Sequence, residues 1–443
     1  MQSTRNRLFF FGGFVLQLGL FFHFYRLNLL YAKPTEYLLL VSSFILFLAY
    51  ATNIDDIKKS IKKINKEPLI FAILIFGFVL FSTCIGFFSH NLLFDVPGFR
   101  LLLKLILNIF IFISVIALIN HNQTLIKNLA ILFWVSFIVY VPFTWGANDF
   151  AYFGINLVEP VSGRFRGFTE GPGATAFSLN ESLPILLSFY FFVENKYIKA
   201  GLIFPLIFLG LILLWCGSRI ALISTSISLI YLIFFIVLFK KVQVKNFLYF
   251  LILFFSCLYF ISHYIDIPQI IHMLAGRLIG VGPAELATKI KNTSDFLNLT
   301  LSGVSDPNIN IRITSFKYYF NLVMDNPLGL GLNYFPTMAF FDDLICFNYC
   351  PPDSILDTFV HGGIGLFITM VLFSRKIIVV FFSKITSLFK NNSRFAFLYL
   401  GFSAAFISDL IVTLFGGFPI YSLKFWIISA IAFALPYSER LKK

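Results

Sequence analysis

The chain has 443 residues, 58% of them hydrophobic and 12% charged, with a mean hydropathy of +0.87 and a formal net charge of +13. This composition excludes an ordinary soluble domain and describes a chain that lies mainly in lipid. The positive charge does not indicate a nucleic-acid partner, because the lysines are scattered among short turns.

Apolar runs of about 17–25 residues read as membrane-spanning helices. The sequence predicts twelve, at roughly 8–30, 36–53, 69–88, 101–120, 128–146, 174–193, 199–216, 218–239, 246–264, 355–373, 395–415 and 418–436. The first is long and lacks a small-residue cleavage site, so it reads as a helix rather than a signal peptide. The expected fold is all-α: one polytopic membrane domain over residues 1–443, without a soluble module or an internal repeat.

Basic residues in short loops set the orientation. With Arg5 and Arg7 inside, the next inner loop carries Lys58, Lys59, Lys62, Lys63 and Lys66. Later inner loops carry Lys127, Lys196, Lys199, Lys240, Lys241, Lys245 and the run from Arg375 to Arg394. Both termini are then cytoplasmic. The outer side holds Arg26, Arg100, Arg164, Arg166, Arg219, Arg277 and Arg312. Arginine's planar fork holds phosphate or carboxylate bidentately, so this side is enriched in an anion-recognising residue.

Two outer loops are long, at about 147–173 and 265–354, and loops of such length are usually functional. They are expected to cover an active site. The first contains GRFRGFTEGPG, which gathers Arg164, Arg166 and Glu170 among glycines that let backbone amides approach an anion. Without a ligand the same stretch is a polar turn. In the second loop, ITSFKYYFNLVMDNPLGLGLNYFP begins as an amphipathic helix with Phe316, Tyr319, Phe320 and Val323 on one face. Arg312 starts it, Asp325-Asn326-Pro327 ends it, and GLGLN turns the chain.

Arg219, in WCGSRIALIS, is a charge within a long uncharged stretch. At membrane depth such a residue needs a partner; at a helix end it snorkels to the interface. Asp353 opens the tenth helix after two prolines, and Asp357 and His361 share a face behind it. His361 titrates near neutral pH and suits a general base, or else packs between helices ahead of GGIG. Asp409 and Lys424, on the last two helices, read as an ion pair. Cys346 and Cys350, in CFNYC, read as a disulfide in an oxidising compartment or as two thiols. Tyr152, Tyr318 and Tyr334 are aromatic residues of the two outer loops.

Four stretches together resemble the O-antigen polymerases, the Wzy-type membrane glycosyltransferases, and their relatives the O-antigen ligases. They are GRFRGFTEGPGATA, CGSRIALIS, RITSFKYYFNLVMDNPLGLGLNYF and PPDSILDTFVHGGIGLF, in the family's order and spacing over about 160–220 and 310–370. Two departures stand out. Gly171 interrupts the glutamate–proline step, and Pro352-Asp353 stands where the ligases carry His-Asn, which favours a polymerase.

The resemblance implies a multi-pass protein of the bacterial inner membrane, with the large late loop and the active site in the periplasm. It implies polymerisation of glycan repeat units carried on undecaprenyl pyrophosphate, with a chain-length-regulating co-polymerase as partner. Arg164, Arg166, Arg219 and Arg312 would hold the pyrophosphate. Glu170, Asp353 and His361 are the candidate bases, Glu170 foremost. The resemblance also implies that no metal, nucleotide sugar or other cofactor is needed, and the sequence, with no metal-ligand cluster and no nucleotide-binding loop, is consistent with that. A ligase and a lipid-linked oligosaccharide flippase are the alternatives.

Overall fold

A computed structural model of the chain describes residues 11–12, 14–15, 40–45, 66–90, 96–121, 126–131, 165, 172–239, 320–332, 356–415 and 419–434. Among them there is no strand, and eight long helices carry the architecture. These are α1 (Lys66–His90), α2 (Val96–His121), α3 (Pro172–Phe192), α4 (Lys196–Cys216), α5 (Arg219–Leu238), α6 (Leu356–Lys390), α7 (Phe395–Phe415) and α8 (Leu423–Phe433), with a 3₁₀ turn at Pro419–Tyr421 before the last. Among the described residues six spans are long and apolar enough to cross a membrane, drawn from α1, α2, α4, α5, α6 and α7, while the spans expected at 8–30, 36–53, 128–146 and 246–264 lie wholly or mostly outside the described residues. The chain is therefore a multi-pass membrane protein. Outward-facing Ile73, Phe81, Ile230, Phe234 and Val237 are exposed, as a lipid-facing surface requires.

α7 is the central helix. It packs on α3, α5, α6 and α8, while α4 lies on α3, α1 lies on α6 and α2 lies on α8. Small residues permit the closest approaches. A Cβ at Gly401 of α7 would collide with Ser188 of α3, and one at Gly365 of α6 would enter the ring of Phe78 of α1. Around them the core is aromatic. Phe112, Phe373 and Trp426 join α2, α6 and α8, with ring centroids 5.3–6.1 Å apart in the edge-on and tilted arrangements that aromatic quadrupoles favour.

α3 is as long as the spanning helices but more polar: Thr175, Asn180, Glu181, Ser182 and Ser188 are all buried in it. Pro184 lacks an N–H, which leaves the Asn180 carbonyl without its helical donor beside these polar groups.

α6 departs from expectation. The sequence predicts a span at 355–373 followed by a basic loop, whereas the helix runs on to Lys390. At 1.5 Å per residue its 35 residues extend about 52 Å, well beyond a hydrocarbon core of roughly 30 Å. The extension is amphipathic: Ile377, Phe381, Ile385 and Leu388 face the core. Two of its charges find partners. Lys376 pairs with Glu67 at 2.7 Å, and Lys384 donates to the Ala434 carbonyl while lying over the Tyr399 ring. Arg394, in the turn before α7, pairs with Glu194 after α3 at 2.6 Å. These contacts gather the end of α3, the starts of α1, α4 and α7 and the end of α6 at one end of the bundle. That end carries the basic turns.

Candidate functional site

At the opposite end of the bundle, α4 turns into α5 through Trp215-Cys216-Gly217-Ser218-Arg219. Gly217 takes a left-handed conformation (φ 61°), and its N–H donates to the Leu214 carbonyl at 2.9 Å, closing α4. Ser218 then caps α5, its hydroxyl accepting from the Ala221 N–H. Arg219 is the first residue of α5. The backbone N–H groups of that first turn form the positive end of the helix dipole, which favours an anion.

Phe165 ties the first arginine stretch to this turn. It is fully buried, its ring lies 5.2 Å from that of Trp215, and its N–H donates to the Trp215 carbonyl at 3.4 Å. Its chain neighbours Arg164 and Arg166 lie outside the described residues, as do Glu170, Asp353 and Arg312. α3, which follows this stretch, opens with Pro172, a residue suited to a first helical turn. α3 and α5 start at the same end, and Asn180 donates to the Ser224 hydroxyl at 2.8 Å between them.

Below that hydrogen bond lies a buried charge cluster. Glu181 of α3 and Lys424 of α8 form an ion pair at 3.1 Å, with side chains 7% and 4% exposed. Asp409 of α7 lies within electrostatic reach of both. The sequence reading pairs Lys424 with Asp409; the direct partner is Glu181. Glu181 was the missed residue. Its signal was available, an acid among apolar residues in a span, the same feature that marks Arg219.

The second half of the site joins two further stretches. The helix at 320–325 ends where expected, with Asn326 donating back to Leu322 at 3.0 Å. Pro327–Leu332 then lies between α1 and α6. Leu330 and Gly331 both donate to the Val360 carbonyl, at 2.6 and 3.2 Å. Ile364 donates to the Pro327 carbonyl at 2.9 Å, and Leu332 donates to the Thr83 hydroxyl of α1 at 3.2 Å. Leu322, Val323 and Phe359 pack around Val360.

His361 lies in this turn of α6, just before the break at Gly363. It is buried at 7% exposure, with its ring edge-on to Tyr421 at 6.2 Å. Tyr421 precedes Lys424 by one turn, so the short segment entering α8 touches His361 at one point and Glu181 at the next.

No family model, curated protein or solved structure matches the chain.

The described residues place the Phe165 anchor beside the turn into Arg219 at one junction, and the Pro-x-Gly-x-Gly segment against the His361 turn of α6 at another. Asp357 is in the first turn of α6. Cys84 is an exposed thiol on α1, whereas Cys216 is a buried thiol at the end of α4, as a small apolar filler would be. Cys257, Cys346, Cys350, Tyr152, Tyr318 and Tyr334 fall outside the described residues.

Proposed function

We propose that the protein is a membrane glycosyltransferase that polymerises oligosaccharide repeat units carried on undecaprenyl pyrophosphate, at the periplasmic face of a bacterial inner membrane. The observation that carries this reading is the contact of Phe165 with Trp215. It sets Phe165, the middle residue of GRFRG, against the turn that starts α5 at Arg219.

In this reading Arg164, Arg166, Arg219 and Arg312 hold the donor's pyrophosphate. The bond between the donor sugar's anomeric carbon and the phosphate oxygen breaks, and the departing pyrophosphate gains charge against fixed cations. The anomeric carbon bonds to a hydroxyl of the acceptor unit, whose proton passes to a general base. Glu170, Asp353 and His361 are the candidates. The protein's own contribution is to orient donor and acceptor and to stabilise the leaving charge.

The test is reconstitution. Purified protein in vesicles with a lipid-linked repeat unit should yield a ladder of longer lipid-linked glycans, and repeat units left unchanged would refute the proposal. A ligase would instead move glycan onto a different acceptor.

One observation favours a second reading. Buried Glu181 and Lys424, with the half-buried Asp409 within electrostatic reach of both, are the kind of charged groups that mark transport pathways. A flippase would move the lipid-linked glycan across the same vesicles without changing its length.

A further inference from the structure

In a continuous helix the Ile364 N–H would donate to the Val360 carbonyl. In α6 both groups are diverted. The carbonyl of Val360 accepts from Leu330 and Gly331, and the N–H of Ile364 donates to Pro327. The loop segment thus supplies partners for both groups of the helical bond that the break at Gly363 removes.

The fit depends on three glycines with positive φ: Gly329 at 81°, Gly331 at 75° and Gly363 at 66°. L-side chains rarely adopt that backbone. There is also no room for one. A Cβ at Gly331 would fall on the backbone of Thr83, one at Gly363 on the backbone of Leu328, and one at Gly329 on Ser82 and Gly363. On the loop side, Leu330 and Leu332 are buried at 4% and 0% exposure. The segment is therefore keyed to α1 and α6 on both faces.

We propose that residues 327–332 form a backbone latch that fixes the break in α6 and so positions His361, two residues before it. Gly331, Gly363 and Thr83 are then positioning residues for the transfer reaction, a role that rests on the function proposed above. The latch itself does not depend on that function. It makes residues 327–332 and the His361 turn one mechanical unit, so that a change at either is felt at the other.

The experiment uses the full chain in lipid nanodiscs, as wild type, Gly331→Ala and the milder Thr83→Val, which keeps the side-chain shape and removes the acceptor for Leu332. Three quantities are read: amide exchange at Leu330, Gly331, Leu332 and Ile364, the rate of His361 modification by diethyl pyrocarbonate, and glycan transfer. The amides should lose protection together, about five- to tenfold in Thr83→Val, the scale of one lost hydrogen bond. His361 modification should accelerate in both variants. The turnover number for transfer should fall in Gly331→Ala by up to about a hundredfold, the scale expected for a displacement near 1 Å, with KM little changed.

Unchanged exchange in α3, α5 and α7 would show that the variants fold. Exchange rising at 330–332 while Ile364 and His361 keep wild-type behaviour would overturn the latch. Coupled exchange with wild-type turnover would overturn the positioning role. Absence of transfer in the wild type would count against the proposed function alone, since the exchange and modification readings stand without it.

Discussion

Glu181 and Lys424 meet at 3.1 Å although they stand on helices from distant parts of the chain, and each side chain is more than nine-tenths buried. A pair so deep is weak evidence for stability, because desolvation offsets much of the attraction. Breaking it is a different matter, since one charge stays behind. Lys424→Met should destabilise the protein by about 3–5 kcal/mol. Adding Glu181→Leu should recover most of that loss, whereas adding Asp409→Leu should recover much less. Thermal unfolding of the detergent-solubilised variants measures the cycle, and recovery by Asp409→Leu alone would reverse the assignment of partners.

Phe165 is the second anchor. Phe165→Ala removes a fully buried ring and its contact with Trp215, a change that costs about 3–5 kcal/mol in a packed core. Transfer should be lost even though Arg164, Arg166 and Arg219 remain. Trp215→Phe, which keeps an aromatic face, should retain most activity. Activity of both variants in membranes, normalised to protein level, decides this.

The junction of α3 with α7 leaves no space at Gly401. Gly401→Ala should lower the unfolding temperature, with a cost of about 1–3 kcal/mol from overpacking. Ser188→Gly in the same chain should restore part of it, because Ser188 is the group displaced. If the double variant is no better than the single one, the two helices do not approach as closely as described.

Arg219→Lys separates charge from geometry. A lysine keeps the charge and loses the bidentate fork, so transfer should fall nearly as far as in Arg219→Ala if the residue grips pyrophosphate. Polymer length and yield in membranes carrying each variant give the comparison. Full activity of the lysine variant would reduce the role of Arg219 to a local charge.

The α4–α5 pair was legible because Gly217 and Ser218 supply both cap signals between two apolar runs. The end of the helix at 320–325 was legible for a similar reason, since Asn326-Pro327 cannot continue it. The extension of α6 was not. Arg375, Lys376, Lys384 and Lys390 have the charge density of a cytoplasmic turn, and the positive-inside pattern outweighed the buried face that Ile377, Phe381 and Ile385 mark. The last span, expected at 418–436, forms its helix only over Leu423–Phe433, because Pro419 opens a 3₁₀ turn and Ser422 supplies the cap. Glu181 escaped notice because a single acid barely alters the hydropathy of its span. The union of Pro-x-Gly-x-Gly with the α6 break lay beyond any local pattern. Each stretch reads as an ordinary turn alone, and only their mutual backbone bonds reveal why both need glycine.

Glycan polymerisation dependent on Arg219 is read from the size ladder of surface polysaccharide in a deletion strain, with wild type or Arg219→Ala returned on a plasmid. The ladder should collapse to core plus a single repeat unit and be restored by the wild type but not by the variant. A normal ladder in the deletion strain, or its restoration by Arg219→Ala, would refute polymerisation dependent on that arginine.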